Sequence, residues 1–135
     1  MTAQTSDEHR VEVRVRYNEC DPMGVAHHSA YAVWLEMART DMLRRDGRTY
    51  RQLETDGTFF VVVRLSLSYH RPARYDDLLR VSTTMRTGGV KVEHDYAVHR
   101  GDELIAEGRT TLACVDRSGR PQRIPAGVFG ARKRR

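Results

Sequence analysis

Cysteine is scarce in this sequence of 135 residues, which contains only Cys20 and Cys114. Neither belongs to a Cys-x-x-Cys pair, which argues against a zinc or dithiol site. Long apolar runs are also missing, because no stretch approaches the roughly 20 residues that span a bilayer. The first ten residues are polar, so a secretory signal is not expected. These absences predict a cytoplasmic protein with no membrane segment and with the length of one domain.

Acidic residues are missing from the C-terminal end, where residues 117–135 contain seven basic side chains. Residues 1–116 contain 16 basic and 18 acidic side chains, so the formal net charge of +5 originates at this end. A basic patch on a structured face indicates nucleic-acid binding, whereas a terminal basic run is typical of a solvated end. We therefore predict a single domain over residues 1–130, a basic disordered tail over residues 131–135, and no nucleic-acid partner.

Two periodicities organise the first half of the domain. From Val11 to Tyr17 apolar residues alternate with polar ones, which predicts a strand with one buried face. Apolar residues then recur at helical spacing over Ala30–Arg45, with Ser29 in the position of an N-cap and Gly47 just beyond the end. A short second helix is expected over residues 49–54.

Strand signals dominate the second half, where β-branched and aromatic residues are separated by short glycine-containing turns. Such turns force antiparallel neighbours, because a parallel pair needs a crossover of a dozen or more residues. One helix cannot cover both faces of five strands, so we expect an α+β fold in which the sheet wraps around the helix. The predicted strands of this half are Phe59–Tyr69, Leu78–Arg86, Val90–Arg100 and Glu103–Asp116.

The densest group of chemically capable residues lies between the first strand and the long helix. Asp21 stands just ahead of that helix, whose first N–H groups lack intrahelical partners and carry partial positive charge. Such a helix start can bind a carbonyl oxygen that becomes negative as a nucleophile attacks. A carboxylate beside these donors suits acyl transfer, although an Asp before a helix is more often a cap than a catalyst.

This segment resembles the hotdog-fold acyl-CoA thioesterases, in particular the 4-hydroxybenzoyl-CoA thioesterase family and its short-chain acyl-CoA relatives. The likeness extends over roughly residues 11–116. It implies the hotdog fold, in which a five-stranded antiparallel sheet wraps around one long helix, and it implies hydrolysis of an acyl thioester. The residues that carry the motif are Tyr17, Asp21, Gly24, Val25, His28, Tyr31, Glu36, Ala38 and Arg39.

The resemblance assigns roles to five of these residues. Asp21 is the catalytic carboxylate, acting as nucleophile or as general base on water. The backbone N–H of His28 polarises the thioester carbonyl. Its side chain either orients the substrate or Asp21 or is simply a polar group at the helix start. Gly24 lets the backbone approach the thioester closely, and Val25 belongs to the same substrate-binding turn. Tyr17 is expected in the core at the end of the strand, within hydrogen-bonding reach of the site.

The resemblance also implies ligands and partners. The substrate is an acyl-CoA or acyl-carrier-protein thioester with an aromatic or short-chain acyl group. Arg86 and Lys91 are the candidates for binding the phosphates of coenzyme A, because a guanidinium or ammonium group suits such anions. Each active site is expected between two subunits of a homodimer or homotetramer. No metal or organic cofactor is implied.

Two other functions stay open at this point. A hotdog hydratase or dehydratase acts on the same class of thioester, but Asp21 and His27 are one residue too far apart for the Asp-x-Asn-Pro-x-His pattern of some of these enzymes. A non-catalytic acyl-CoA-binding module would bind the thioester without releasing the thiol.

Overall fold

The computed structural model describes residues 4–129, with side chains from Ser6 onward. The predicted tail over residues 131–135 lies outside this range, so the tail and the domain end at residue 130 stay predictions. Within the described range no helix is long and apolar enough to cross a membrane. The elements are β1 (Gln4–Thr5), β2 (His9–Arg14), a 3-10 turn (Tyr17–Glu19), α1 (His28–Arg45), α2 (Tyr50–Thr55), β3 (Phe59–Tyr69), β4 (Leu78–Gly88), β5 (Lys91–Arg100) and β6 (Glu103–Val115).

The strands form one antiparallel sheet in the order β1, β4, β5, β6, β3. β2 also pairs with β4, along its first half, while β1 pairs with the end of the same strand. The two short N-terminal strands therefore occupy a single edge position. This gives the five positions expected from the sequence, and the α+β prediction is confirmed.

The core lies between α1 and the concave face of the sheet. Trp34, Leu35 and Ala38 on α1 are fully buried against sheet residues that include Val81 and Val98. Full burial of one leucine or valine side chain contributes about 1.5–3 kcal/mol to the free energy of unfolding. The helix is therefore held along the sheet by a continuous apolar contact, which fixes where its N-terminus points.

Two details at the start of the domain differ from the sequence prediction. The first strand ends at Arg14 and the chain turns into the 3-10 segment, so Tyr17 is 80% exposed instead of lying in the core. Ser29 is not the N-cap of α1, because the helix begins one residue before it. His27 is the cap, and its Nδ1 accepts the Ser29 backbone N–H at 3.2 Å.

The edge strand β3 carries an apolar surface that the described chain leaves uncovered. It pairs with β6 on one side, and no strand within residues 4–129 pairs with its other side. Val61, Val62, Val63 and Leu65 are all more than two-fifths exposed. An open apolar edge of this length is a template for pairing with another chain.

Candidate active site

The loop between β2 and α1 is folded by its own backbone hydrogen bonds. The Asp21 N–H donates to the Val25 carbonyl at 2.9 Å, and the Gly24 N–H donates to the Asp21 carbonyl at 2.9 Å. Cys20 and Ala26 form a short antiparallel bridge that closes the loop. Gly24 has a φ of +83°, a conformation that costs a residue with a Cβ about 1–2 kcal/mol.

The Asp21 carboxylate is held by this loop. Its Oδ1 accepts the backbone N–H groups of Met23 at 2.9 Å and Val25 at 3.3 Å. No hydrogen bond reaches its Oδ2 from any residue that the structure describes. One oxygen of the half-buried carboxylate is thus fixed, and the other is free to accept a proton or to attack a carbon.

The start of α1 presents a second unsatisfied group. The His27 carbonyl accepts the N–H of Ala30 at 3.0 Å, and the His27 ring nitrogen accepts that of Ser29. The N–H of His28, the first helical residue, has no hydrogen-bond partner among residues 4–129. A free N–H at the positive end of a helix is suited to hold a developing oxyanion.

Glu19 anchors the loop to the core, a role that the sequence reading missed. Its side chain is 8% exposed, and its Oε2 accepts the indole N–H of Trp34 at 3.1 Å and a guanidinium N–H of Arg16 at 3.2 Å. The Glu19 carbonyl accepts the N–H of His27 at 2.7 Å. The available signal was the tryptophan itself, because a buried indole N–H needs an acceptor.

A second segment, residues 70–74, supports the loop from the other side. The Ala26 N–H donates to the Ala73 carbonyl at 2.7 Å, and Val25 forms a bridge with Arg74. The segment itself is held by Arg100, whose guanidinium donates to the Pro72 carbonyl at 3.1 Å. The loop is therefore fixed to α1 and to this segment at the same time.

A cleft of about 360 Å³ opens beside the start of α1. The rings of Tyr31 and Tyr69 meet edge to face at 4.9 Å, and burial raises the pKa of Tyr31. His70 pairs with Glu107 at 3.0 Å. The cleft thus combines aromatic surface with polar groups at its rim. Its lining residues are Val25, Ala26, His28, Tyr31, Tyr69, His70, Arg71 and Pro72.

Of the five site residues predicted between the first strand and the long helix, four lie together and one does not. Asp21, Gly24 and Val25 share the closed loop, and His28 begins the helix that follows it. Val25 and His28 line the cleft, whereas Asp21 adjoins it through its bond to Val25. Tyr17 lies outside the cleft, because its ring packs edge to face against Tyr75 at 5.6 Å. The closeness expected between Tyr17 and the site is thus limited to its backbone contact with the loop.

The close approach to the thioester expected of Gly24 stays a prediction. A Cβ built on Gly24 meets no atom of the described chain within 4 Å. The chain's own reason for glycine at this position is the positive φ.

Arg86 and Lys91 do not reach this cleft within one chain. Arg86 is bound to Glu93 at 2.9 Å and to Asp95, and these hydrogen bonds raise the pKa of its guanidinium. Lys91 lies level with Val61 through the ladder of β5, β6 and β3, eight residues along β3 from Tyr69. At about 3.3 Å per residue that separation is about 26 Å. The phosphate-binding role expected of Arg86 and Lys91 stays a prediction.

Metal ligation is not built into the described residues, since no group of three or more His, Cys, Asp or Glu side chains is placed to hold an ion. The adjacent rings of His27 and His28 lie 4.0 Å apart, and His27 is engaged with Ser29.

Comparison with known proteins places this fold and loop in a family. Residues 23–107 match the Thioesterase superfamily. Acyl-CoA thioester hydrolase YbgC of Escherichia coli O6:H1 is 33% identical over 122 residues, covering 88% of this chain and 91% of the relative. The chain therefore belongs to the thioesterase superfamily, and it is a thioester hydrolase.

Solved structures show the same architecture. A hypothetical protein, TT1821 from Thermus thermophilus, is 40% identical with a TM-score of 0.85, over 90% of this chain and 94% of that one. A probable thioesterase from Bartonella henselae is 27% identical with a TM-score of 0.83, over 88% of this chain and all of the other. The hotdog fold expected from the sequence is confirmed.

Proposed function

We propose that this protein hydrolyses an acyl-CoA thioester to a free acid and coenzyme A, with Asp21 as the catalytic carboxylate. The observation that carries the proposal is the pairing of a fixed carboxylate with a free helix-start N–H. Asp21 is held by Met23 and Val25, while the N–H of His28 has no partner within the described range. The loop bonds bring these two groups to one end of α1.

The two groups suit the two demands of the reaction. As a general base, Asp21 takes a proton from water while the water oxygen bonds to the thioester carbon. The carbonyl oxygen becomes negative and accepts the His28 N–H. Collapse of this intermediate breaks the carbon–sulfur bond, and the thiolate leaves and takes up a proton. In the nucleophilic alternative, Oδ2 itself bonds to the carbon, the thiolate leaves, and water then hydrolyses the resulting anhydride.

The cleft favours a flat or short acyl group. Its wall contains the edge-to-face rings of Tyr31 and Tyr69, which suit an aromatic acyl group by the geometry of ring packing. A coenzyme A carrier is supported by the Escherichia coli relative, which is named an acyl-CoA thioester hydrolase. A carrier-protein thioester is the alternative that a substrate panel separates.

The test exploits a difference between two substitutions at Asp21. Asp21→Asn keeps an oxygen to accept the N–H groups of Met23 and Val25, so the loop keeps its shape while the charge is lost. We expect Asp21→Asn to lower kcat by about a hundredfold or more, the scale of a lost general base. Free-thiol release from benzoyl-, phenylacetyl- and short-chain acyl-CoA measures it.

Asp21→Ala separates chemistry from loop structure. It removes the hydrogen-bond acceptor as well as the charge, so it should lower the melting temperature while Asp21→Asn does not. Rates near those of the wild type in Asp21→Asn would refute the catalytic assignment. Hydration of an enoyl-CoA without thiol release would identify a hydratase, and tight binding without turnover would identify a binding module.

We further propose that a second copy pairs with the open edge of β3 and completes the site. The exposed apolar side chains of Val61, Val62, Val63 and Leu65 support this, since a hydrophobic strand edge pairs readily with another strand. Two-fold pairing would also bring the end of the sheet that carries Lys91 toward the neighbouring cleft. A homodimer or homotetramer is therefore the expected assembly.

Sedimentation equilibrium of Leu65→Lys tests this assembly against Ser68→Lys as the control on the same strand. Leu65 pairs opposite buried Thr110 and Ser68 opposite exposed Glu107, so the two lysines lie on opposite faces of β3. We expect Leu65→Lys to shift the protein to monomer with loss of activity and Ser68→Lys to leave both unchanged. A wild-type monomer with full activity would contradict the proposal.

A further inference from the structure

We infer that Arg71 binds the phosphate groups of the thioester's carrier arm and thereby sets preference for phosphorylated carriers over bare thioesters. The inference rests on the thioester hydrolysis proposed above and adds a residue to it. Arg71 lines the cleft and is exposed at its rim. It lies immediately after His70, at the point where the chain leaves β3.

The backbone holds Arg71 in a fixed position relative to the catalytic loop. The N–H groups of His70 and Arg71 both donate to the Ile105 carbonyl, at 2.8 and 3.1 Å. Two residues further on, the Ala73 carbonyl accepts the loop N–H of Ala26 at 2.7 Å. The backbone at Arg71 is therefore held at a constant distance from the loop that carries Asp21. A residue that binds one end of a substrate arm needs such a fixed position.

Two other basic side chains near this rim, His70 and Arg100, have carboxylate partners, whereas Arg71 has none among the described residues. His70 is paired with Glu107, and Arg100 is paired with Asp77 at 2.7 Å and with Glu103 at 2.8 Å. Within residues 4–129 the Arg71 guanidinium has no carboxylate partner and no hydrogen-bond acceptor. Arg74 also lacks a carboxylate partner there, but it does not line the cleft.

A free guanidinium at the mouth of a substrate cleft matches the chemistry of a phosphate group. Its planar fork donates two parallel hydrogen bonds to phosphate oxygens, and it stays charged at every working pH. In coenzyme A the phosphates lie at the far end of the pantetheine arm from the thioester. An anion site at the rim of the cleft, rather than beside Asp21, suits an arm of this kind.

Arg86 does not fill this role in its own chain, because its guanidinium is already shared between Glu93 and Asp95. Moving Arg86 onto a phosphate would break its ion pairs with Glu93 and Asp95, of which Asp95 alone keeps a second cation, Arg109 at 2.7 Å, whereas Arg71 gives up no partner. The described contacts therefore favour Arg71 as the cation of this cleft.

The test compares Arg71→Gln with the wild type on two thioesters of one acyl group, the coenzyme A thioester and the N-acetylcysteamine thioester, which has no phosphate. We expect Arg71→Gln to raise KM for the acyl-CoA about tenfold, the scale of one charge-assisted contact. The value of kcat and the KM for the N-acetylcysteamine thioester should not change. Added salt should raise the acyl-CoA KM of the wild type more than that of the variant.

Arg120→Gln is the matched control, since it removes one exposed positive charge near the opposite end of β6. Equal loss on both thioesters would overturn the inference, because Arg71 would then act on the acyl group or on the fold. A similar rise in KM in Arg120→Gln would also overturn it, since a diffuse field would suffice.

Binding of free coenzyme A and of pantetheine, measured by calorimetry, tests the role of Arg71 without requiring hydrolysis. A wild type that hydrolyses neither thioester refutes the proposed hydrolysis. Coenzyme A binding that weakens about tenfold in Arg71→Gln, with pantetheine binding unchanged, supports Arg71 in either case. Unchanged coenzyme A binding overturns the assignment.

Discussion

The indole N–H of Trp34 donates to the Glu19 carboxylate at 3.1 Å, which ties the loop between β2 and α1 to the centre of the hydrophobic core. Trp34 is fully buried and Glu19 nearly so. The Glu19 carbonyl also accepts the N–H of His27, the residue that caps α1. Glu19 therefore connects Trp34 in the core to the start of α1. The position of the free His28 N–H thus depends on a residue of the core.

Trp34→Phe should therefore disturb both stability and turnover. Loss of the donor leaves part of a buried carboxylate unsatisfied, which costs about 1–3 kcal/mol. We expect urea denaturation to show that loss and thiol release to fall, because the loop is less firmly placed. Glu19→Gln, which still offers an oxygen to the indole, should cost less than Trp34→Phe. Equal stability of Trp34→Phe and the wild type would disprove the anchoring role.

Gly24→Ala should slow the reaction through backbone strain. No atom obstructs the new methyl group, but a φ of +83° is unfavourable for alanine. We expect about 1 kcal/mol of destabilisation and a loss of activity as the loop relaxes around Asp21. Gly119→Ala is the control, because Gly119 has a φ of +90° in a turn remote from the cleft. The prediction is met if both variants lose stability and only Gly24→Ala loses activity. It is contradicted if Gly24→Ala and Gly119→Ala have the same activity.

His94 should make the fold less stable in acid. Burial, followed by the positive charge of Arg39, lowers its pKa to about 3 from a usual value of 6.5. Between about pH 6.5 and pH 3, His94 is therefore protonated in the unfolded chain and neutral in the folded protein. Its contribution to the free energy of unfolding is complete above about pH 6.5 and decreases as the pH falls below that value. The expected slope is about 1.4 kcal/mol per pH unit below roughly pH 6.

Denaturation at pH 7, 6, 5 and 4 measures this slope, and His94→Gln should flatten it whatever its stability at pH 7. His28→Gln, at an exposed position, should keep the slope of the wild type. A slope that survives in His94→Gln would assign the acid sensitivity to other groups.

Local patterns predicted most of the fold because each one reports a physical constraint along the chain. The β-branched and aromatic run over Phe59–Tyr69 indicated a strand, and helical spacing over Ala30–Arg45 reflects which side chains face the core; the observed elements match both within two residues. The turn at Gly101 needed the positive φ that it has. Such constraints act between residues close in sequence, so a single sequence displays them.

Long-range contacts explain what the sequence did not predict. Tyr17 reads as the inward end of a strand, but the chain turns after Arg14 and places its ring against Tyr75. Ser29 has the side chain of a typical cap, yet the His27 ring takes that role. Tyr69 and His70 belong to the cleft only because β3 ends beside the start of α1, a closeness between distant residues that no local pattern records.

Segment 70–74 and the loop that carries Asp21 are non-contiguous pieces that share one set of backbone hydrogen bonds. A loop transplanted into a related scaffold would bring its carboxylate but lose the acceptor that Ala73 offers to Ala26. Exchange of specificity between such enzymes should therefore succeed when both pieces are moved together, with Arg100 retained to hold the second. Chimeras that move the loop alone should fold and yet work poorly.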